Sequence, residues 1–447
     1  MAALVLAGPV AAQRAAEVET VPPARDPRIY GIIGDVAADR IERDIRALVG
    51  FGTRNTYSDT LSPTRGIGAA RRWIKSEFDR ISADCGGCLE VSYQSSIVQG
   101  RPLGSEEPVP VNVVNVVAVL RGTTHPDRYV IMSGDIDSRV SNTADYTSDS
   151  PGANDNASGM AGVIEAARVM TQHRYGKSVV FVGLSGEEQG LWGGTHMAGQ
   201  AVQDGWIIEG VLNNDMIGNI AGLDGVIDNT VFRVFSEPTP VTETEQERRA
   251  RRTSGGEVDG VSRQLARYVD RITTDYFRNL DAMMIYRLDR FGRGGHHRPF
   301  NDAGFPGVRI MEAHENYVRQ HQDLRVEDGI AYGDVIEGVD FDYAAKLTAV
   351  NAAVMAALAW APPPPESVRL RGAVQPSPTL SWPAVNSPDL AGYRIYWRLT
   401  TESQWTNWLF VGDITEHTLE NIIIDNFLFG VASVANNGNE SVVVFGR

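Results

Sequence analysis

From Tyr129 to Leu212 the chain alternates unbroken apolar runs with stretches of helical spacing, and this limits its fold more than any other feature. Residues 129–132, 178–184 (S-V-V-F-V-G-L) and 207–212 read as strands buried on both faces. Between them, Met160, Val163, Ile164, Ala167 and Met170 recur at helical spacing, and 195–203 reads as a second helix. Strands alternating with helices predict an α/β chain with a mainly parallel mixed sheet flanked by helices. The pattern extends outward: helices at 41–51, 66–81 and 261–280, strands at 89–98, 109–120, 283–288 and 308–311, and an Ala-rich closing helix at 342–360. Residues 236–260 read as a polar surface insertion and 290–300 as a loop.

The ends of these strands carry acids. Asp135 and Asp137 follow the first, Glu187 and Glu188 the second, and Asp215 the third. Asp155 sits in D-S-P-G-A-N-D-N-A-S-G (149–159), a Gly- and Pro-punctuated loop that opens the 156–170 helix. Alone, Asp155 reads as an ordinary helix cap. Ligands in open parallel sheets bind beyond the carboxyl ends of the strands. Carboxylates meeting there repel unless cations neutralise them, so three successive acidic strand ends point to a metal site.

These residues resemble the zinc-dependent aminopeptidases of peptidase family M28, which carry a co-catalytic metal pair on a zinc-exopeptidase fold. The likeness spans most of residues 40–360 through G-D-I-D-S (134–138), P-G-A-N-D-N-A-S-G (151–159), S-G-E-E-Q-G-L-W-G (185–193), N-N-D-M-I-G (213–218), H-R-P-F (297–300) and Y-V-R-Q-H-Q-D (317–323). It implies a hydrolase that releases N-terminal residues from peptides. Asp155 would bridge two divalent ions, zinc by resemblance, with Glu188 and His321 completing one site and Asp215 the other. Glu187 would be the general base. His296, His297 and His314 are rival ligands to His321. His297 and Arg298 are expected in the substrate pocket, and Tyr317 as packing or as an oxyanion donor.

The chain departs from the family at Asp135, where a ligating histidine is expected. If Asp135 ligates, the oxygen-rich site shifts preference toward Mn, Mg or Ca. Asp137 would then lose its imidazole partner, and Arg139 would neutralise one of the two acids. Two further readings follow: a single-metal acyltransferase resembling glutaminyl cyclases, and a non-catalytic binding protein that uses the same cleft.

The rest sets the context. Residues 1–13 read as the remnant of a secretory signal and 14–36 as an N-terminal arm, which predicts a secreted or periplasmic protein. Cys85 and Cys88, the only cysteines, are expected to pair locally: the strand-like L-E-V-S-Y that follows argues against a redox pair, and two cysteines are too few for a four-cysteine zinc site. Net charge is -15, which argues against a nucleic-acid partner. No later stretch reads as a bilayer span. The main domain is expected over 37–361. Pro362–Pro365 read as a stiff spacer (362–366), and 367–447 as a small all-β sandwich. L-S-W (380–382) and G-Y-R-I-Y-W (392–397) in that sandwich resemble a fibronectin type III module, implying a protein or polysaccharide partner.

Overall fold

The computed structural model describes residues 20–447, so the expected signal remnant lies outside the described residues. Helices α1 (Arg28–Asp35), α2 (Ala38–Val49) and α3 (Gly66–Asp84) lead into strands β1 (Leu89–Gly100), β2 (Val109–Leu120) and β3 (His125–Asp135). Then come α4 (Gly159–Met170), β4 (Lys177–Leu184), α5 (Trp192–Gln203), β5 (Ile207–Asn214), β6 (Val231–Ser236), α6 (Glu245–Ser254), α7 (Val261–Tyr276), β7 (Asp281–Ile285), α8 (His297–Asp302) and β8 (Gly307–Glu312). A hairpin of β9 (Arg325–Glu327) and β10 (Ile330–Tyr332) precedes α9 (Phe341–Trp360).

One eight-stranded sheet in the order β1-β2-β4-β3-β5-β8-β6-β7 organises this part. Its centre, β4-β3-β5-β8, and the β6–β7 pair are parallel, but β1–β2, β2–β4 and β6–β8 are antiparallel, so the sheet is mixed and not wholly parallel. The cause is the helix cover on both faces. The apolar run of β2 reports burial, and burial on both faces does not encode strand direction. Side chains alternate along β3: Val130 and Met132 face a core shared with α4 and α9, while Tyr129 and Ile131 face one shared with α5 and Phe300 of α8. Asp135 pairs with Leu184, and Gly134 with Asn214, so three carboxyl ends finish level on one edge.

Four elements differ from expectation. The supposed arm contains α1, whose Ile29 and Ile32 are fully buried against the main core. Strand β6, V-F-R-V-F-S, was hidden behind a polar neighbourhood. The 290–300 loop runs into α8, and the 236–260 insertion holds exposed α6, closed by a Thr244–Glu247 capping box. Helix α9 is long and apolar enough to cross a membrane by length and composition, but 89% of its most apolar 18-residue window is buried inside the fold. It is the core helix against which α1, α2, α4 and α7 pack.

Beyond Pro362 the chain is all-β. Strands β11 (Arg369–Arg371), β12 (Thr379–Ser381), β13 (Leu390–Leu399), β14 (Asn407–Gly412), β15 (Glu416–Thr418), β16 (Phe427–Ala435) and β17 (Val444–Phe445) form two antiparallel sheets, β11-β12-β15 and β14-β13-β16-β17. Leu380 and Trp382 from one sheet and Tyr393, Ile395 and Phe429 from the other share one core. The proline segment is docked: Lys177 Nζ donates to the Pro362 carbonyl, and Ser433 Oγ to that of Pro363. Cys85 and Cys88 are joined in a disulfide.

Candidate metal centre

The loop after β3 is held by its own polar side chains. Gly152 takes a left-handed φ of 53°, and a Cβ there would meet Asp155's carbonyl oxygen at 2.6 Å. Asp334 accepts from the backbone N–H groups of Asn154 and Asp155. Asn154 donates to Glu312, and Asn156 donates to Asp135 and to the Asn214 carbonyl. The Asp155–Asn156 peptide is cis. These asparagines therefore tether the loop rather than cap a helix; α4 begins later, at Gly159. Sequence reasoning missed Asp334 and Glu312, which lie far along the chain with no motif of their own.

The second acidic strand end is fixed by Asp137. Its carboxylate accepts from the backbone N–H groups of Gly186, Glu187 and Glu188 at 2.9, 3.2 and 3.1 Å. Asp137 therefore anchors the turn that presents Glu187 and Glu188, and it still faces the expected second carboxylate: burial, then Asp215 and Asp137, pushes the Asp135 carboxyl well above its usual range.

Among the described residues, Asp155, Glu188 and His321 form the one group of three donors whose ligand atoms lie within 4.8 Å of one another. His321 Nε2 is 2.9 Å from Asp155 Oδ2 and 3.5 Å from Glu188 Oε1. The group opens on a cavity of about 510 Å³, also lined by Glu187, Asp215, Arg139, Arg290, Arg293 and Arg298. Burial holds His321 below the usual histidine range despite its bond to Asp155, so a neutral imidazole is available as a ligand. Burial, then Asp155 and Glu187, pushes the Glu188 carboxyl well above the usual range. Burial, then Asp215, Asp135 and Asp155, does the same to Glu187. Two carboxylates and an imidazole converging on one point fit one divalent ion, and the mixed O/N set suits zinc.

Among the described residues no second group of three donors accompanies it. Asp135, expected as a ligand, is not in that group: its Oδ1 lies 2.5 Å from His296 Nδ1 and its Oδ2 accepts from Asn156 Nδ2 at 2.7 Å. Asp215 reaches the cavity but is not in the three-donor group; Arg309 Nη2 lies 2.7 Å from its Oδ2.

Three further expectations are corrected. Arg139 neutralises neither Asp135 nor Asp137; it lies 3.6 Å from Glu188 and bonds the carbonyls of Val140 and Ser141. His297 is buried against the Leu288 carbonyl and does not line the cavity, whereas Arg298 does. Tyr317 is 57% exposed and borders a neighbouring cavity with Arg233 and Phe235. His296 and His314 are also absent from the group: His296 belongs to Asp135, and His314 lies nearest Asp228, at 4.0 Å. Arg309 was missed, although a lone charge inside the apolar run V-R-I-M was a legible signal.

Comparison with known proteins agrees with this architecture. A probable zinc metalloprotease of Leptosphaeria maculans is 42% identical over 95% of this chain and 98% of its own length. Among solved structures, the LapA aminopeptidase of Legionella pneumophila matches with a TM-score of 0.52 at 16% identity, over 74% of this chain and 75% of that one. A glutaminyl cyclase from Macrostomum lignano matches with a TM-score of 0.52 at 14% identity, over 75% and 93%. At such identities both likenesses concern the fold alone. Residues 115–329 match the family described as Peptidase family M28, and with a relative this similar end to end, the chain belongs to peptidase family M28.

Proposed function

We propose that this chain is a zinc-dependent exopeptidase that removes N-terminal residues from peptides. The observation that carries the reading is the convergence of Asp155, Glu188 and His321 on a cavity that Glu187 also lines. A divalent ion held by those three residues would polarise the scissile carbonyl and acidify a water. Glu187, in none of those ligand positions, takes the proton of the attacking water and passes it to the leaving amine. Arg139, beside Glu188, steadies that carboxylate. Asp137 keeps the two glutamates in register through the backbone of their turn.

The cavity has a second electrical character. Arg290 and Arg293 share Glu315 with Arg233, so three guanidiniums lean on one carboxylate, and Arg298 is exposed. A carboxylate on the substrate would be drawn to this wall. With an N-terminal cut, that carboxylate is an acidic side chain. The same wall favours one alternative, in which a free C-terminal carboxylate docks there and the peptide runs the other way.

A matched pair of assays separates them. We expect turnover of aminoacyl p-nitroanilides, led by acidic residues, and none of N-acylated dipeptides. Arg298→Ala should raise KM for the acidic substrate about tenfold, the scale of one charge-assisted contact. Cleavage of the N-acylated dipeptides alone would reverse the polarity of the site. Cyclised N-terminal glutamine as the sole product would instead establish an acyltransferase. A secreted or periplasmic location, and a fibronectin type III-like character for the C-terminal sheets with a protein or polysaccharide partner, belong to the same proposal; the signal-like start and the shared two-sheet core support them.

A further inference from the structure

We propose that the Arg309 guanidinium stands in for the second metal ion, so that the centre works with one divalent ion and one fixed cation. The proposal rests on the reading that Asp155, Glu188 and His321 hold a metal.

Arg309 is placed by the sheet itself. It lies on β8 opposite Asn213 of β5, two residues before Asp215. Its side chain is fully buried, and its head is fixed from behind: Nη1 donates to the Gly294 carbonyl at 2.7 Å and to Asp289 Oδ2 at 3.2 Å. The other terminal nitrogen, Nη2, faces Asp215 Oδ2 at 2.7 Å. Burial opposes its charge, but Asp215, Asp289, Glu187 and Asp155 together outweigh that, so the guanidinium belongs to the same carboxylate cluster as the metal group. A second divalent ion bound through Asp215 would meet a positive charge that cannot retreat.

The other donor a second ion would need is also spoken for. Both oxygens of Asp135 are engaged, by His296 and by Asn156. No third side chain joins Asp155 and Asp215 in a three-donor group among the described residues. The two departures match each other: the chain lacks a histidine at position 135 and has a cation at position 309, on adjoining parts of one sheet edge. Either alone would weaken a second site. Together they replace it with an interaction that needs no metal. An arginine also remains charged at any pH where the enzyme folds, so it is not lost on chelation.

The test is metal stoichiometry on the purified full chain, by equilibrium dialysis against zinc followed by elemental analysis. The wild type should take up one zinc ion per chain, and its cobalt-substituted form should give the magnetic resonance signal of an isolated high-spin ion. Arg309→Lys, which keeps the charge, should also stop at one. Arg309→Met, folded by circular dichroism, should admit a second ion, aided further by Asp135→His in the double variant. Two ions in the wild type, or a spin-coupled cobalt pair, overturns the proposal even if Arg309→Met fails to fold. So does a folded double variant that still stops at one. Uptake of no zinc by the wild type would remove the metal-centre reading itself, which tells the two failures apart.

Discussion

Glu187→Gln should lower kcat by roughly 10²–10⁴-fold while leaving zinc content unchanged, the range that general-base catalysis contributes. The split between the two readouts follows from position. Glu187 lines the cavity but lies outside the Asp155–Glu188–His321 group, so its amide replacement removes a proton acceptor and no ligand. Glu188→Gln, one residue on, should instead lose metal and activity together. A loss of about 10²–10⁴ corresponds to roughly 3–5 kcal/mol of barrier. Activity of Glu187→Gln within about threefold of wild type would take the base role away from it. The pH profile adds a sign. A base must be ionised to work, and burial together with Asp215, Asp135 and Asp155 raises the Glu187 carboxyl above the ordinary glutamate value of about 4.3. The acid limb of kcat/KM should therefore rise through a pH above that value and vanish in Glu187→Gln.

Much of this site was legible because period and position carry physical meaning. Apolar runs at 129–132, 178–184 and 207–212 could only be buried strands, and acids directly after them had to gather on one edge once those strands ran parallel. What stayed hidden was pairing between segments distant in sequence. Nothing near Asp155 announces that Asp334, 179 residues later, holds its backbone N–H. Nothing near Asp135 announces His296. A two-ion centre was expected by resemblance, and the residues that argue against it, His296 and Arg309, come from a loop and a strand distant in sequence from the acids they meet at positions 135 and 215. Direction in the sheet was hidden for a different reason: β2 is buried on both faces whichever way it runs. Helix α1 was obscured by its proline- and charge-rich surroundings, although Ile29 and Ile32 supply its buried face.

Asp259→Ala should cost about 3–5 kcal/mol of stability, the scale for breaking a buried ion pair by removing one partner. Asp259 precedes α7, and its carboxylate joins α7 to the C-terminal sheets. Oδ1 accepts from Arg267 Nη1 of α7 at 2.8 Å, and Arg398 Nη2 of β13 donates to both oxygens at 2.9 Å. Asp259, Arg267 and Arg398 are 4%, 1% and 0% exposed, so water cannot replace the lost carboxylate. The alanine variant leaves two buried guanidiniums facing each other across the gap. Arg398 retains its bond to the Glu402 carbonyl, and Arg267 its bonds to the carbonyls of Val258 and Ser403, but these accept hydrogen bonds without neutralising charge. The thermal midpoint should fall by about 3–5 °C for a chain of 447 residues, read by calorimetry. Arg398→Met separates charge from packing. It leaves Asp259 still paired with Arg267, so it should cost clearly less than Asp259→Ala. An equal or larger cost for Arg398→Met would mean that the fit of the long side chain, and not compensation of charge, holds the C-terminal sheets to α7. The metal centre is built from other elements, so at 25 °C zinc uptake by Asp259→Ala should match wild type, and a parallel loss of zinc would show that the two ends of the molecule fold as one cooperative unit.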